Sequence, residues 1–398
     1  MGGIGGLTSV SYLARVGKGT AVNRHVARLI IVIPAAIALA AATLAGTAGA
    51  ARTGRAPASK AFVDRLYGVT TLSRSDAWAV GLEPSASLIL HWDGRAWSKS
   101  LAGAGYYLGT GADSATDVWA VGGTNWFSPS APLIQHWTGS AWTQVPSPDP
   151  AGGGVLNAVA AVSPDDAWAV GLIGPGPGVP SPTKPLIEHW NGSSWSITPS
   201  PVIASGASLH GVAATSPTDV WAVGWTGPNS SGNNHQTLIE HWNGTAWSRV
   251  PSPNATGQYN SLNTVAATSY RNAWAAGLTA FPGHNDTLIE HWDGHAWTVV
   301  PSPTPDGDAQ VLGLGATRRT DAWAVGMTRG DSCSPNCATF IEHWNGTAWT
   351  RVPSPGPTGG GLEALFSVSA TGRHNAWAVG TIGYARTLQI HWNGKAWN

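Results

Sequence analysis

Seven copies of one two-part unit fill this chain from about residue 61 to its end. In the fourth copy the unit reads Asp219-Val-Trp-Ala-Val-Gly224, then Leu238-Ile-Glu-His-Trp-Asn-Gly-Thr-Ala-Trp247. The first half puts its Trp at Trp78, Trp119, Trp168, Trp221, Trp274, Trp323 and Trp377. The second half, H-W-x-G-x-x-W, begins at His91, His136, His189, His241, His291, His343 and His391. A period near 50 residues that holds only strand-like segments specifies a β-propeller rather than a helical solenoid. Three Trp per unit account for 21 of the 23 Trp. Trp126 and Trp225 are left over.

Each unit divides into four strands. In the fourth, Leu209 to Thr215 alternates small and apolar residues and runs into the turn sequence Ser216-Pro-Thr-Asp219. Val220 to Gly224 is the second strand and Leu238 to Trp242 the third. Asn243-Gly244 marks a hairpin, and the fourth strand stops at Pro251-Ser-Pro253 because Pro cannot continue a ladder. The first-to-second and third-to-fourth turns are short and nearly constant. The second-to-third loops and the links between units vary. An up-and-down blade therefore puts a constant set of turns on one face and a variable set on the other, and binding residues belong on variable loops over a rigid scaffold.

The repeated polar residues read as structure. Residues present in every blade lie on a ring and cannot converge on one point, as catalysis requires. The Asp before the first Trp is Asn272 and Asn375 in two units, so the position needs an acceptor rather than a charge. It should meet the His of its own blade. Glu188, Glu240, Glu290 and Glu342 precede that His in the four central units, too far apart for paired-carboxylate chemistry. The repeated Trp suit packing between blades otherwise made of Ala, Val and Gly.

Residues 1–50 read as a secretory signal peptide, with a basic start, an apolar run from Leu29 to Ala45 and the small-x-small site Ala48-Gly49-Ala50. An uncleaved anchor is the alternative. Residues 51–60 are a linker and 61–398 the propeller. The product is expected to be secreted or on the cell surface, and monomeric, with membrane attachment only if the first segment is kept. Lys and Arg balance Asp and Glu at 21 each, and charged residues are 11% of the chain, against about 25% in an average soluble domain. No linear basic stripe suggests nucleic acid. No cofactor or metal site is implied. Cys333 and Cys337, the only cysteines, flank Ser-Pro-Asn and are expected to form a local disulfide.

The chain resembles a group of secreted bacterial propellers built from these same D-x-W-A-V-G and H-W-x-G-x-x-W units. More distantly it is similar to Asp-box (BNR) and kelch or galactose-oxidase-like propellers, although a residue is missing from the Asp-box spacing and the kelch Gly-Gly pair is absent. The resemblance implies an all-β, seven-bladed propeller of four-stranded antiparallel blades, and export. It carries little about activity.

Function must then come from what breaks the repeat. Tyr106, Tyr107, Trp126, Phe127, Trp225, Phe281 and His284 all fall in variable connections. They are expected on one face, several of them exposed, as ligand-binding residues with no catalytic set. The function expected is non-catalytic binding of an extracellular carbohydrate or cell-wall glycan, ahead of a protein. The alternatives are a polysaccharide-active hydrolase or lyase, and a structural scaffold of the cell envelope. For ring closure, Ala61 to Arg65 is expected to pair onto the seventh blade, whose fourth strand is cut short.

Overall fold

The computed structural model describes residues 64–84, 86–126, 130–174, 183–227, 234–257, 259–304, 308–328, 336–355, 361–383 and 386–398. The expected signal segment and linker, residues 61–63, Phe127 and Cys333 lie outside them. All regular structure among the described residues is strand, in seven blades that follow the seven repeats. Blade four is typical. Its strands are Ala207–Ser216, Asp219–Thr226, Gln236–Trp242 and Trp247–Arg249, each antiparallel to the next. Blades one to six have four strands, and in blade seven the fourth is reduced to a bridge between Trp392 and Trp397. First strands of successive blades touch all the way round, blade seven to blade one included, so they line the axis.

Each first strand bulges at one equivalent place. In blade four the register steps from Leu209 opposite Gly224 to Gly211 opposite Val223, which leaves His210 unpaired. The bulge presses the inner strand onto the end of the second strand, and a Cβ on Gly224 would collide with the Ser208 carbonyl. The same collision recurs at the matching glycine of every blade, such as Gly81, Gly277 and Gly380. That closeness is the physical reason the D-x-W-A-V-G signature ends in Gly.

The 21 repeated Trp form seven triads, one per blade interface. Trp221 of blade four meets Trp292 at 5.0 Å and stands edge-on to Trp297 at 5.2 Å, both from blade five. Trp221 is 1% exposed. Trp377 of blade seven does the same with Trp92 and Trp97 of blade one, at 4.9 and 5.0 Å. Ring closure therefore reuses the ordinary interface. It is reinforced by Val69 N–H donating to Ser367 Oγ at 3.3 Å and Thr71 N–H to Ser369 Oγ at 3.0 Å. Arg65 opens the first strand of blade one, opposite Leu82, and not an added strand on blade seven. Of the segment expected to pair onto blade seven, residues 61–63 lie outside the described residues, and the Asp64 carbonyl accepts a bond from Thr381 Oγ1 of blade seven at 3.4 Å. Blade seven also makes two main-chain bonds between His391 and Asn398, 2.8 and 3.0 Å long.

On the turn face each His meets its own Asp or Asn. The Nε2 to Oδ1 distances are 3.0 Å for His91–Asp76, 2.9 Å for His189–Asp166 and 2.7 Å for His241–Asp219. They are 2.8 Å for His291–Asn272, His343–Asp321 and His391–Asn375, and His136 bonds Asp117 as well. Each His ring also packs on the first Trp of its blade, as His189 does on Trp168 at 4.1 Å. In the Asp blades four and six a Thr hydroxyl donates to the second carboxylate oxygen. In the Asn blades the amide donates to that hydroxyl instead, at 2.7 Å from Asn272 to Thr268 and from Asn375 to Thr371. The hydroxyl reverses its role, and the site works with either residue.

Candidate functional site at the variable-loop face

Tyr106, Tyr107, Trp126, Trp225, Phe281 and His284 all lie at the strand ends away from the constant turns, on the variable face. Their exposure differs from the expectation. Tyr106 is 5%, Tyr107 1% and Trp225 9% exposed. The Tyr106 hydroxyl is held by Ser130, and burial first of all pushes its pKa up to about 12. Tyr107 is held by Ser87 and Gln135. Trp225 stacks on His235 at 4.2 Å with the planes 8° apart, and His235 packs on Tyr259 of blade five at 4.5 Å. These three aromatics bury apolar area and join neighbouring blades. Among the described ones His284 alone is exposed, with 44% of its side chain accessible; Phe281 and Trp126 are half-buried.

Phe281 and His284 do not sit in an open loop. The second and third strands of blade five run on to meet there, with Phe281 opposite His284 across a two-residue Pro282-Gly283 turn. Pro presets the first turn position and Gly283, at φ +99°, takes the second. The two rings stack at 5.0 Å at the tip. Cys337 is disulfide-bonded and 3% exposed, beside a parallel pairing of Cys337 with Leu362 that ties blade six to blade seven.

The seven bulged residues form a ring that the repeat pattern hides. In blade order they are Tyr67, Leu108, Asn157, His210, Asn263, Leu312 and Phe366. One arc is apolar and packs as a cluster with Tyr106. Trp126 lies against that cluster, 6.1 Å from Tyr67 with the rings stacked and 4.5 Å edge-on to Tyr106. The other arc is polar. Asn157 Nδ2 donates to Leu209 O at 2.7 Å and Asn263 Nδ2 to Val311 O at 2.8 Å, each in the next blade. His210 lies beside Asn263 and the Leu262 main chain but closes no hydrogen bond of normal geometry. Burial drives its pKa down to about 4, so the ring is neutral at pH 7. The signal for this ring was present in the sequence. The residue directly before the mid-strand Gly, Ala, Thr or Ser changes character from blade to blade, from Tyr and Phe to Asn and His.

The four repeated carboxyls are fully buried. Ser147, Ser200 and Ser252, each from the Pro-Ser-Pro of the preceding blade, donate to Glu188, Glu240 and Glu290 at 2.8 to 3.0 Å. Ser302 stands beside Glu342 but is drawn to Thr287 Oγ1 at 2.8 Å, and neither Glu342 oxygen has a partner. Loss of water raises their pKa values to about 7 for Glu188, Glu240 and Glu342 and about 8 for Glu290. Groups so enclosed clasp blades and cannot reach a substrate. At the interface of blades six and seven the partner of Ser354 is replaced by Ile390. There a cleft of about 340 Å³ opens on the variable face, lined by Thr339, Arg351, Ser354 and Glu363 among others.

No protein-family model matches the sequence, and no curated protein does. Solved structures do match in fold. YCF48 bound to D1 peptide shares 16% identity at a TM-score of 0.53, over 83% of this chain and 92% of that one. The WD40 β-propeller domain of Doa1 shares 12% at 0.54, over 84% and 95%. A polysaccharide lyase of family PL25, an ulvan lyase bound to -[GlcA(1-4)Rha3S]-, shares 9% at 0.57, over 85% and 95%. At these identities the likeness establishes the propeller and nothing finer.

Proposed function

We propose that this propeller is an exported, non-catalytic binding protein whose variable face takes an extracellular glycan, with Trp126 as the stacking platform. The observation that carries this is the position of Trp126. It is one of two Trp the repeat does not require, and the one of the two that keeps an accessible ring. It lies against the aromatic arc of the axial ring, with Tyr67 behind it and Tyr106 at its edge. A supported, half-buried indole suits a sugar ring, whose C–H face is apolar while its rim carries hydroxyls. A peptide is the second reading, and the propeller fold holds a peptide in one neighbour and a polysaccharide in another. The buried state of the four Glu and the pairing of each repeated His with an Asp or Asn argue against a hydrolase or lyase built on those residues.

The test is a screen of the purified protein against uncharged glycans and uncharged cell-wall polysaccharides, read by tryptophan fluorescence. Trp126→Ala is expected to abolish the signal of any bound glycan while the melting temperature holds. Trp225→Ala is expected to lower the melting temperature and leave binding intact. The reverse pattern, or glycan binding indifferent to Trp126, would sink the reading.

A further inference from the structure

The turn face carries a cationic arc. Two turns per blade project there, and in blades five, six, seven and one they present Arg271, Arg319, Arg373 with Lys395, and Arg74 with Arg95. All six are exposed, and none has an ion-pair partner among the described residues. The equivalent turns of blades two, three and four hold no cation and one acid, Asp165. The expectation that no basic stripe exists was drawn from the linear sequence, where these residues are tens of positions apart. Folding brings them onto one continuous sector.

Three further observations agree. The structural Asp is replaced by Asn in two blades only, at Asn272 and Asn375, and both lie on this arc. Asp76 and Asp321 of the arc face inward onto His91 and His343. The exposed acids Asp93 and Asp293 accept main-chain N–H bonds in their own turns, from Arg95 at 2.8 Å and from His295 at 2.8 Å. The arginines also reach across blade interfaces. After burial itself, Arg319 depresses the pKa of His291 in the next blade, and Arg74 that of His391. At one end of the arc Tyr270 is 63% exposed, with the Arg271 guanidinium 5.0 Å from its ring centroid.

We infer that this arc is a binding surface for an acidic polysaccharide, separate from the variable-face site and independent of it. Cations spaced blade by blade along a curve match a chain with an acidic group on successive sugars. The guanidinium fork fits carboxylate and sulfate alike. An exposed Tyr beside an Arg offers a ring face next to a charge. The arc has no exposed large aliphatic group, since Ile197, Val202 and Val299 lie elsewhere, so it lacks the wedge that would hold it in a bilayer.

The experiment measures binding of the purified protein to polygalacturonate and to heparin, with duplex DNA and phosphatidylserine vesicles as competing probes. Binding to the two glycans is expected to weaken steeply between about 50 and 200 mM salt. R74E/R319E/R373E should lose at least about tenfold in affinity at constant salt, with an unchanged melting temperature. Lys184→Glu, on the other face, should bind both polyanions as the parent does. If the reversal variant misfolds, R74Q/R319Q/R373Q gives the same reading with a smaller drop. The proposal is overturned if the parent binds neither glycan, if the variant keeps its affinity, or if Lys184→Glu loses as much. Tighter binding to DNA or vesicles than to polygalacturonate would overturn it too.

Discussion

The two faces of this propeller differ in what their side chains are for. On the turn face the inward-pointing residues are the same in every blade. A His bonds an Asp or Asn, and the middle Trp N–H reaches the carbonyl of the first turn, as Trp242 does to Pro217 at 3.1 Å. On the variable face the inward-pointing residues differ in each blade, from the Tyr106–Ser130 contact to the Trp225–His235 stack. Uniformity on the first face extends only to what is bonded. Its outward residues differ as much as those opposite, and they segregate by charge. A repeat therefore identifies which positions the fold has claimed, and says nothing against function at the unclaimed positions between them.

The sharpest way to break this contrast is in the Trp triads. Trp221→Ala should cost about 3–5 kcal/mol of stability, the range for a buried aromatic truncated to Ala, read from chemical denaturation. A loss below 1 kcal/mol would mean that the triads are not what holds adjacent blades together. The buried carboxyls come next. Burial lifts their folded pKa values above the ordinary Glu value of 4.5, so their contribution is intact below about pH 4.5 and is lost as pH rises towards 8. Glu290→Gln should then stabilise the protein by about 1–3 kcal/mol at pH 8 and by little at pH 4. An equal effect at both values would refute the burial argument. Third, Asp219→Ala should cost about 1–3 kcal/mol by stranding His241 and Thr215, whereas Asp219→Asn should stay within about 0.5 kcal/mol. Equal losses would show that the charge matters after all. Smallest of all, His284→Ala at the exposed hairpin tip should move stability by less than about 0.5 kcal/mol. A larger shift would place that tip among the structural elements.

Blade number, strand order, the two kinds of connection and the His–Asp contact were legible in the sequence, because each follows from a residue repeated seven times. The exposure of the variable-face aromatics was not. Tyr107 and Trp225 break the pattern, yet they fill gaps that the pattern leaves, and only the neighbours Ser87, Gln135 and His235 reveal that. The axial ring was hidden by the bulge. One inserted residue per inner strand disrupts the alternation that would have shown His210 or Phe366 pointing away from the ladder. Most of the segment expected to close the ring, residues 61–63, lies outside the described residues.

The interface between blades seven and one carries the same Trp triad as the other six. Trp377, Trp92 and Trp97 meet there as the other triads do. What fastens the circle is side-chain complementarity, not the route of the backbone. The peptide links between blades are then tethers that raise local concentration, and none of them is a hinge pin. A circle of this kind has no privileged starting point. A chain opened between two other blades and joined between blades seven and one is expected to bring the same seven units back to the same neighbours.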